Sequence, residues 1–80
     1  MAEHPASPPH VDSLDQFREF MAETLAMARI NAELGETHAC IRDDVGLEYS
    51  IRRLVAYVRA ALQSLTDLKA EKQRQKEAGR

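Results

Sequence analysis

The second half of the chain carries an uninterrupted heptad repeat of apolar residues. Its members are spaced alternately four and three positions apart: Leu47, Ile51, Leu54, Val58, Ala61, Leu65 and Leu68. This spacing places all seven on one side of an α-helix and is typical of helices that pack against other helices. Because no Pro or Gly occurs between residues 47 and 78, the pattern predicts a long helix over residues 45–72.

Further apolar residues widen this repeat on both sides. Val55 and Leu62 lie beside one edge of it, and Tyr57 lies beside the other. A two-stranded coiled coil normally carries charged residues at these flanking positions. The pattern therefore favours a bundle of three or four helices, and we expect a homodimer whose interface is formed by the seven heptad residues.

An amphipathic helix is predicted over residues 13–34. Ser13 and Gln16 fit a capping box at its start, and Gly35 is suited to end it in a left-handed conformation. Its apolar half is about 180° wide, whereas an ordinary surface helix needs about 100°. We therefore expect this helix to contact two neighbours. Ile30 is the exception, since it lies among the charged residues of the other half.

These elements predict an all-α fold. The expected architecture is a two-helix antiparallel hairpin with a long second helix, dimerising into a four-helix bundle. Residues 1–12, which include a Pro5–Pro8 motif, are expected to form a disordered N-terminal tail. The hairpin domain is expected over residues 13–72, with its connection at 35–43, and a basic frayed tail over residues 73–80. Only four aromatic residues and few turn residues are present, which disfavours a β-sheet fold.

Charge is distributed unevenly between the two halves of the chain. Residues 1–48 carry a net charge of −7 and residues 49–80 carry +5, giving −2 in total. An acidic helix beside a basic helix would help to select the antiparallel pairing, although exposed ion pairs contribute little each. The acidic total disfavours nucleic acid as a partner. No apolar stretch approaches the ~18 residues of a membrane span, so no membrane association is expected.

Cysteine and histidine residues are too few to predict a catalytic or metal site. His38 and Cys40 lie two positions apart, but a structural zinc ion needs four ligands. The other histidines, His4 and His10, belong to the proline-rich tail. Cys40 also lacks the orienting groups that activate a nucleophile. We therefore expect no enzyme activity, no catalytic residues, no metal and no cofactor, and a single Cys favours a reducing, cytoplasmic location.

The sequence most favours a small regulatory protein that acts by binding another protein. We expect it to sequester or inhibit a larger regulator such as a transcription factor, with Ile30 and Tyr57 binding the partner. One alternative is a dimeric DNA-binding protein that uses Arg52, Arg53 and Arg59. Another is a small accessory or chaperone subunit of a larger complex. Pairing of these arginines with acids of the first helix would favour protein binding, and a shared exposed arginine surface would favour DNA.

Overall fold

A computed structural model describes residues 12–79 as two helices. Helix α1 spans Ser13–Cys40 and helix α2 spans Asp44–Ala78. The helices are antiparallel and pack against each other, and this part of the chain contains no strand. The predicted all-α hairpin is therefore confirmed. Apart from Asp12, the predicted N-terminal tail and its Pro5–Pro8 motif lie outside the described residues.

The N-cap of helix α1 lies one residue before the predicted one, at Asp12 and not at Ser13. Asp12 is the N-cap, and its side chain accepts a hydrogen bond from the Leu14 amide at 3.1 Å. This bond, together with one from the side chain of Gln75, lowers the pKa of the Asp12 carboxyl. The predicted capping box was wrong because Ser13 is already helical, and a carboxylate at Asp12 satisfies the orphan amide instead.

Helix α1 also continues beyond its predicted end at Leu34. Gly35 is buried in the helix interior against α2, where a Cβ added to it would lie 3.6 Å from Ser50 Cβ. The prediction that Gly35 ends the helix was therefore wrong: a small residue is needed here for helix packing, and the chain reverses further on. The connection consists of residues 41–43 only.

Arg42 provides the left-handed residue of the turn, with a φ of 61°. Its amide donates to the carbonyl of Ala39 at 3.2 Å, and the amide of Asp43 donates to the carbonyl of His38 at 2.9 Å. This pair of bonds is the Schellman arrangement that satisfies the last carbonyls of a helix. Asp43 then caps α2 directly, because its Oδ1 accepts from the Gly46 amide at 3.0 Å.

The most buried residues of the two helices have small or polar side chains, and larger apolar residues such as Leu47 and Leu54 are half-buried beside them. The buried residues of α1 are Thr24, Ala28, Asn31 and Gly35, and those of α2 are Ser50, Ala61 and Ser64. Two polar groups are satisfied within α1: Thr24 Oγ1 donates to the Phe20 carbonyl at 2.7 Å, and Asn31 Nδ2 donates to the Met27 carbonyl at 2.8 Å. Small residues at such positions let two helix backbones approach closely.

Helix α2 extends to Ala78, beyond the predicted end at residue 72. Polar side chains in the last two turns of α2 contact one another: Arg74 forms an ion pair with Glu71, and Gln73 donates a hydrogen bond to Glu77. Gln75 also donates a hydrogen bond to Asp12 at 3.3 Å, so the segment reaches the start of α1. Pairs spaced three or four residues apart stabilise a helix that has no apolar face.

Candidate interaction surface

One side of the hairpin exposes a continuous apolar stripe on α2. We call it the α2 stripe, and it consists of Ile51, Val55, Val58, Leu62 and Leu65. Between 37% and 61% of each of these residues is accessible to solvent. They occupy successive turns of one helix face, with no charged residue among them.

The predicted interface residues divide between this stripe and the contact with α1. Ala61 is buried in the hairpin, and Leu47, Leu54 and Leu68 are half-buried. The other three, Ile51, Val58 and Leu65, belong to the exposed stripe. The heptad residues therefore span two adjacent faces of α2, one turned toward α1 and one toward solvent.

The apolar surface extends from α2 across to α1. A groove of about 340 Å³ runs between the helices on the side of the stripe. Its lining includes Ala32 and Gly35 of α1 with Leu47, Ile51 and Leu54 of α2. Leu25 lies one heptad before Ala32, hence on the same side of α1, and is 51% exposed.

The exposed apolar residues are large, whereas the buried ones are small. Within the part of the chain that the structure describes, Ala28 and Ala61 are the buried hydrophobic residues. Twelve larger apolar residues, including the whole α2 stripe, are exposed. Contiguous apolar surface of this kind marks interaction sites in soluble proteins. The hairpin by itself therefore has little hydrophobic core.

The opposite side of the hairpin, which we call the second side, exposes aromatic and aliphatic residues of α1. A groove there is lined by Phe17 and Phe20 of α1 and by residues of α2 that include Ala60 and Gln63. Leu34 lies two heptads after Phe20, on the same side of α1, and is 47% exposed. Ile30, one turn before Leu34, is 41% exposed.

Three residues on successive turns of α2 form a tyrosine–arginine cluster on this second side: Tyr49, Arg53 and Tyr57. The Arg53 guanidinium carbon lies 5.5 Å from the centre of the Tyr49 ring and 5.4 Å from that of Tyr57. Arg53 Nη2 also donates to the Tyr57 hydroxyl at 2.8 Å. Arg53 lies one heptad before Ala60, which places it on the side of Phe20, Leu34 and Ile30.

Two of the three arginines of the DNA-binding alternative, Arg52 and Arg59, line one groove of α2, and Arg53 lies apart from them. Arg52 pairs with Glu48 of its own helix at 2.7 Å, and Arg53 is held by the two tyrosines. Arg59 is exposed on the outer face of α2. Among residues 12–79, no ion pair joins α1 to α2. The pairing of these arginines with acids of the first helix, which would have favoured protein binding, is therefore not observed in this part of the chain.

His38 and Cys40 lie at the end of α1, near the turn. His38 Nδ1 is buried and lies 3.0 Å from Asp43 Oδ2, while Cys40 is exposed. The hydrogen bond from the Gly46 amide, and then the nearby His38, lower the pKa of the Asp43 carboxyl. No group of three or more His, Cys, Asp or Glu residues within 12–79 is arranged to hold a metal ion. His4 and His10 lie outside this range.

Sequence reasoning missed four of the residues that bring the helices together: Asn31, Gly35, Ser50 and Ser64. Thr24, Ala28, Asn31 and Gly35 are spaced four, three and four residues apart, which is itself a heptad pattern. The spacing of these small and polar residues could have predicted the face of α1 that contacts α2. A pattern of apolar residues alone does not reveal it.

Comparisons of the chain with family models, curated proteins and solved structures found no match. Neither described helix combines the length and the apolar character that crossing a lipid bilayer requires.

Proposed function

We propose that this chain is a non-catalytic protein-binding protein whose hairpin is completed by packing against other protein. The observation that carries the proposal is the exposure of the α2 stripe on a hairpin in which, among residues 12–79, the buried hydrophobic residues are Ala28 and Ala61. Burying a Val or Leu side chain fully contributes about 1.5–3 kcal/mol. Covering the stripe therefore supplies stability that the helix contact alone does not.

A second copy of the chain is the first partner proposed for the stripe. Two hairpins that place their stripes together form a four-helix bundle, in which each stripe is buried by the helices of the other copy. The groove beside Ala32 and Gly35 continues this face onto α1, where Glu36 also lines it. Arg52 and Arg59 flank the stripe and would remain at the solvent-exposed rim.

The dimer would act as a regulator by binding and sequestering another protein. This role needs an exposed recognition surface and no reactive group, and the second side of the hairpin provides such a surface with Ile30 and Leu34. A small accessory subunit would use the same surface. DNA binding is not favoured, because the groove lined by Arg52 and Arg59 also contains Asp44 and Glu48, and Arg53 is held by tyrosines elsewhere.

The self-association can be tested by light scattering on the wild type and two matched variants. Val58→Asp places a carboxylate in the stripe, and Thr66→Asp places the same group on the outer face of α2. We expect a dimer for the wild type and for Thr66→Asp at micromolar concentration. For Val58→Asp we expect a monomer, since burying an unpaired carboxylate costs several kcal/mol. A wild type that is monomeric and fully helical would contradict the proposal.

A further inference from the structure

We propose that the tyrosine–arginine cluster, with Ile30 and Leu34, forms a docking surface for an amphipathic helix of a partner protein that carries a carboxylate opposite Arg53. This inference rests on the proposed function and assigns its partner-binding side. It concerns the side of the hairpin that the α2 stripe does not occupy. In this proposal the α2 stripe mediates self-association, and the tyrosine–arginine cluster binds the partner protein.

The proximity of the cluster to Ile30 and Leu34 follows from the register of the helices. Gly35 lies against Ser50, and the helices are antiparallel. Counting from this contact in opposite directions places Ile30 and Leu34 within about one helical turn of the level of Arg53. Two exposed aliphatic side chains and a cation between aromatic rings therefore share one surface.

Arg53 determines where the partner needs a carboxylate, whereas Glu23, one heptad before Ile30, and Asp67 make other parts of this side acidic. The Arg53 guanidinium is positioned by the two tyrosine rings and by the Tyr57 hydroxyl. No carboxylate among residues 12–79 forms an ion pair with it. A fixed guanidinium with unused donors binds a carboxylate well, because little side-chain freedom remains to be lost on binding. Arg52, by contrast, already has a carboxylate partner in Glu48.

Ile30 and Leu34 determine the shape of the partner. They are one helical turn apart, so their side chains form a short apolar ridge beside the cluster. A helix with apolar residues on one face and Glu or Asp beside them matches both features. Tyrosine and arginine are also the residue types that concentrate binding energy at protein interfaces.

The test is a selection from a displayed library of helical peptides. Each peptide carries a fixed leucine stripe, and its flanking positions are randomised among Glu, Gln, Lys and Ser. Immobilised wild-type protein should enrich peptides with Glu at defined flanking positions. Enrichment without a preference for Glu, or no enrichment at all, would overturn the proposal.

Matched variants then locate the binding site of the selected peptides by fluorescence anisotropy. Arg53→Gln should weaken binding by at least about tenfold, whereas Arg59→Gln, with the same change of charge, should alter it less than about twofold. Ile30→Glu should also abolish binding while the circular dichroism spectrum is unchanged. Equal affinity for wild type and Arg53→Gln would overturn the proposal.

Three outcomes separate this inference from the proposed dimer. Peptides that bind Val58→Asp as well as the wild type would support a recognition surface distinct from the stripe, whatever the oligomeric state. Peptides that lose binding to Val58→Asp but not to Arg53→Gln would assign recognition to the stripe and refute the cluster. Loss of the dimer itself in Arg53→Gln would show that a second copy occupies the cluster, which also refutes it.

Discussion

Gly35 of α1 lies directly against Ser50 of α2, so that a methyl group added at Gly35 would be 3.6 Å from Ser50 Cβ. This is an ordinary van der Waals distance, which means that the contact tolerates alanine but no larger side chain. Ser50 is only 2% exposed and is the most deeply buried side chain of the described residues. This buried contact between the helices is therefore made by two small residues.

Alanine substitutions at two helical glycines should have opposite effects. Gly35→Ala should raise the free energy of unfolding by about 0.5–1 kcal/mol, because alanine favours the helix and fits against Ser50. Gly46→Ala should lower it by roughly 1–3 kcal/mol, because the added methyl overlaps the His38 ring and the Asp43 carboxylate. Urea unfolding at one fixed protein concentration measures both.

A larger side chain provides the control for the Gly35 contact. Gly35→Leu should destabilise the hairpin, since leucine cannot fit at this distance without separating the helices. If Gly35→Leu were as stable as Gly35→Ala, the close contact with Ser50 would be absent in solution.

Replacing Arg42 by glycine should stabilise the turn. Arg42 adopts a φ of 61°, a conformation that costs an L-residue roughly 1–2 kcal/mol and glycine almost nothing. We expect Arg42→Gly to raise the free energy of unfolding by about 1 kcal/mol after allowing for the greater freedom of glycine in the unfolded chain. Arg42→Ala keeps the Cβ and should give no such gain. Equal stability of the two variants would argue against the left-handed turn.

Acid should weaken the cap of α2 through Asp43. The pKa of this carboxyl is lowered in the folded state, so its contribution to stability is complete above the unfolded value and is lost as the pH falls through the folded value. Asp43→Asn retains a capping oxygen but does not titrate in this range. Stability measured between about pH 6 and pH 2 should therefore fall less steeply for Asp43→Asn than for the wild type. Parallel curves for the two proteins would contradict this role of Asp43.

The sequence predicted the elements of the fold better than the faces they present. The heptad repeat from Leu47 to Leu68 correctly indicated α2, and the amphipathic pattern correctly indicated α1. The repeat did not reveal that Ala61 faces α1 while Val58 faces solvent. Apolar periodicity identifies residues that avoid water, but it does not distinguish a contact within the hairpin from a surface left for another chain.

The turn was predicted less well for a related reason. Gly35 resembles a helix terminator when only local conformation is considered, although its smallness is required by Ser50 on the other helix. Arg42, which does adopt the left-handed conformation, carries no sequence signal for it. Likewise, the packing of Arg53 between Tyr49 and Tyr57 follows from their spacing of four, but the sequence did not show which side of the hairpin they occupy.

The concentration dependence of thermal unfolding tests most directly whether a second copy buries the α2 stripe. For a dimer that unfolds to separate chains, Tm rises with protein concentration by mass action, whereas the Tm of a monomer does not change. Circular dichroism melts of the wild type over a hundredfold range of concentration should show a steadily rising Tm, and Val58→Asp should show none. A wild-type Tm that is constant over this range would contradict the central claim.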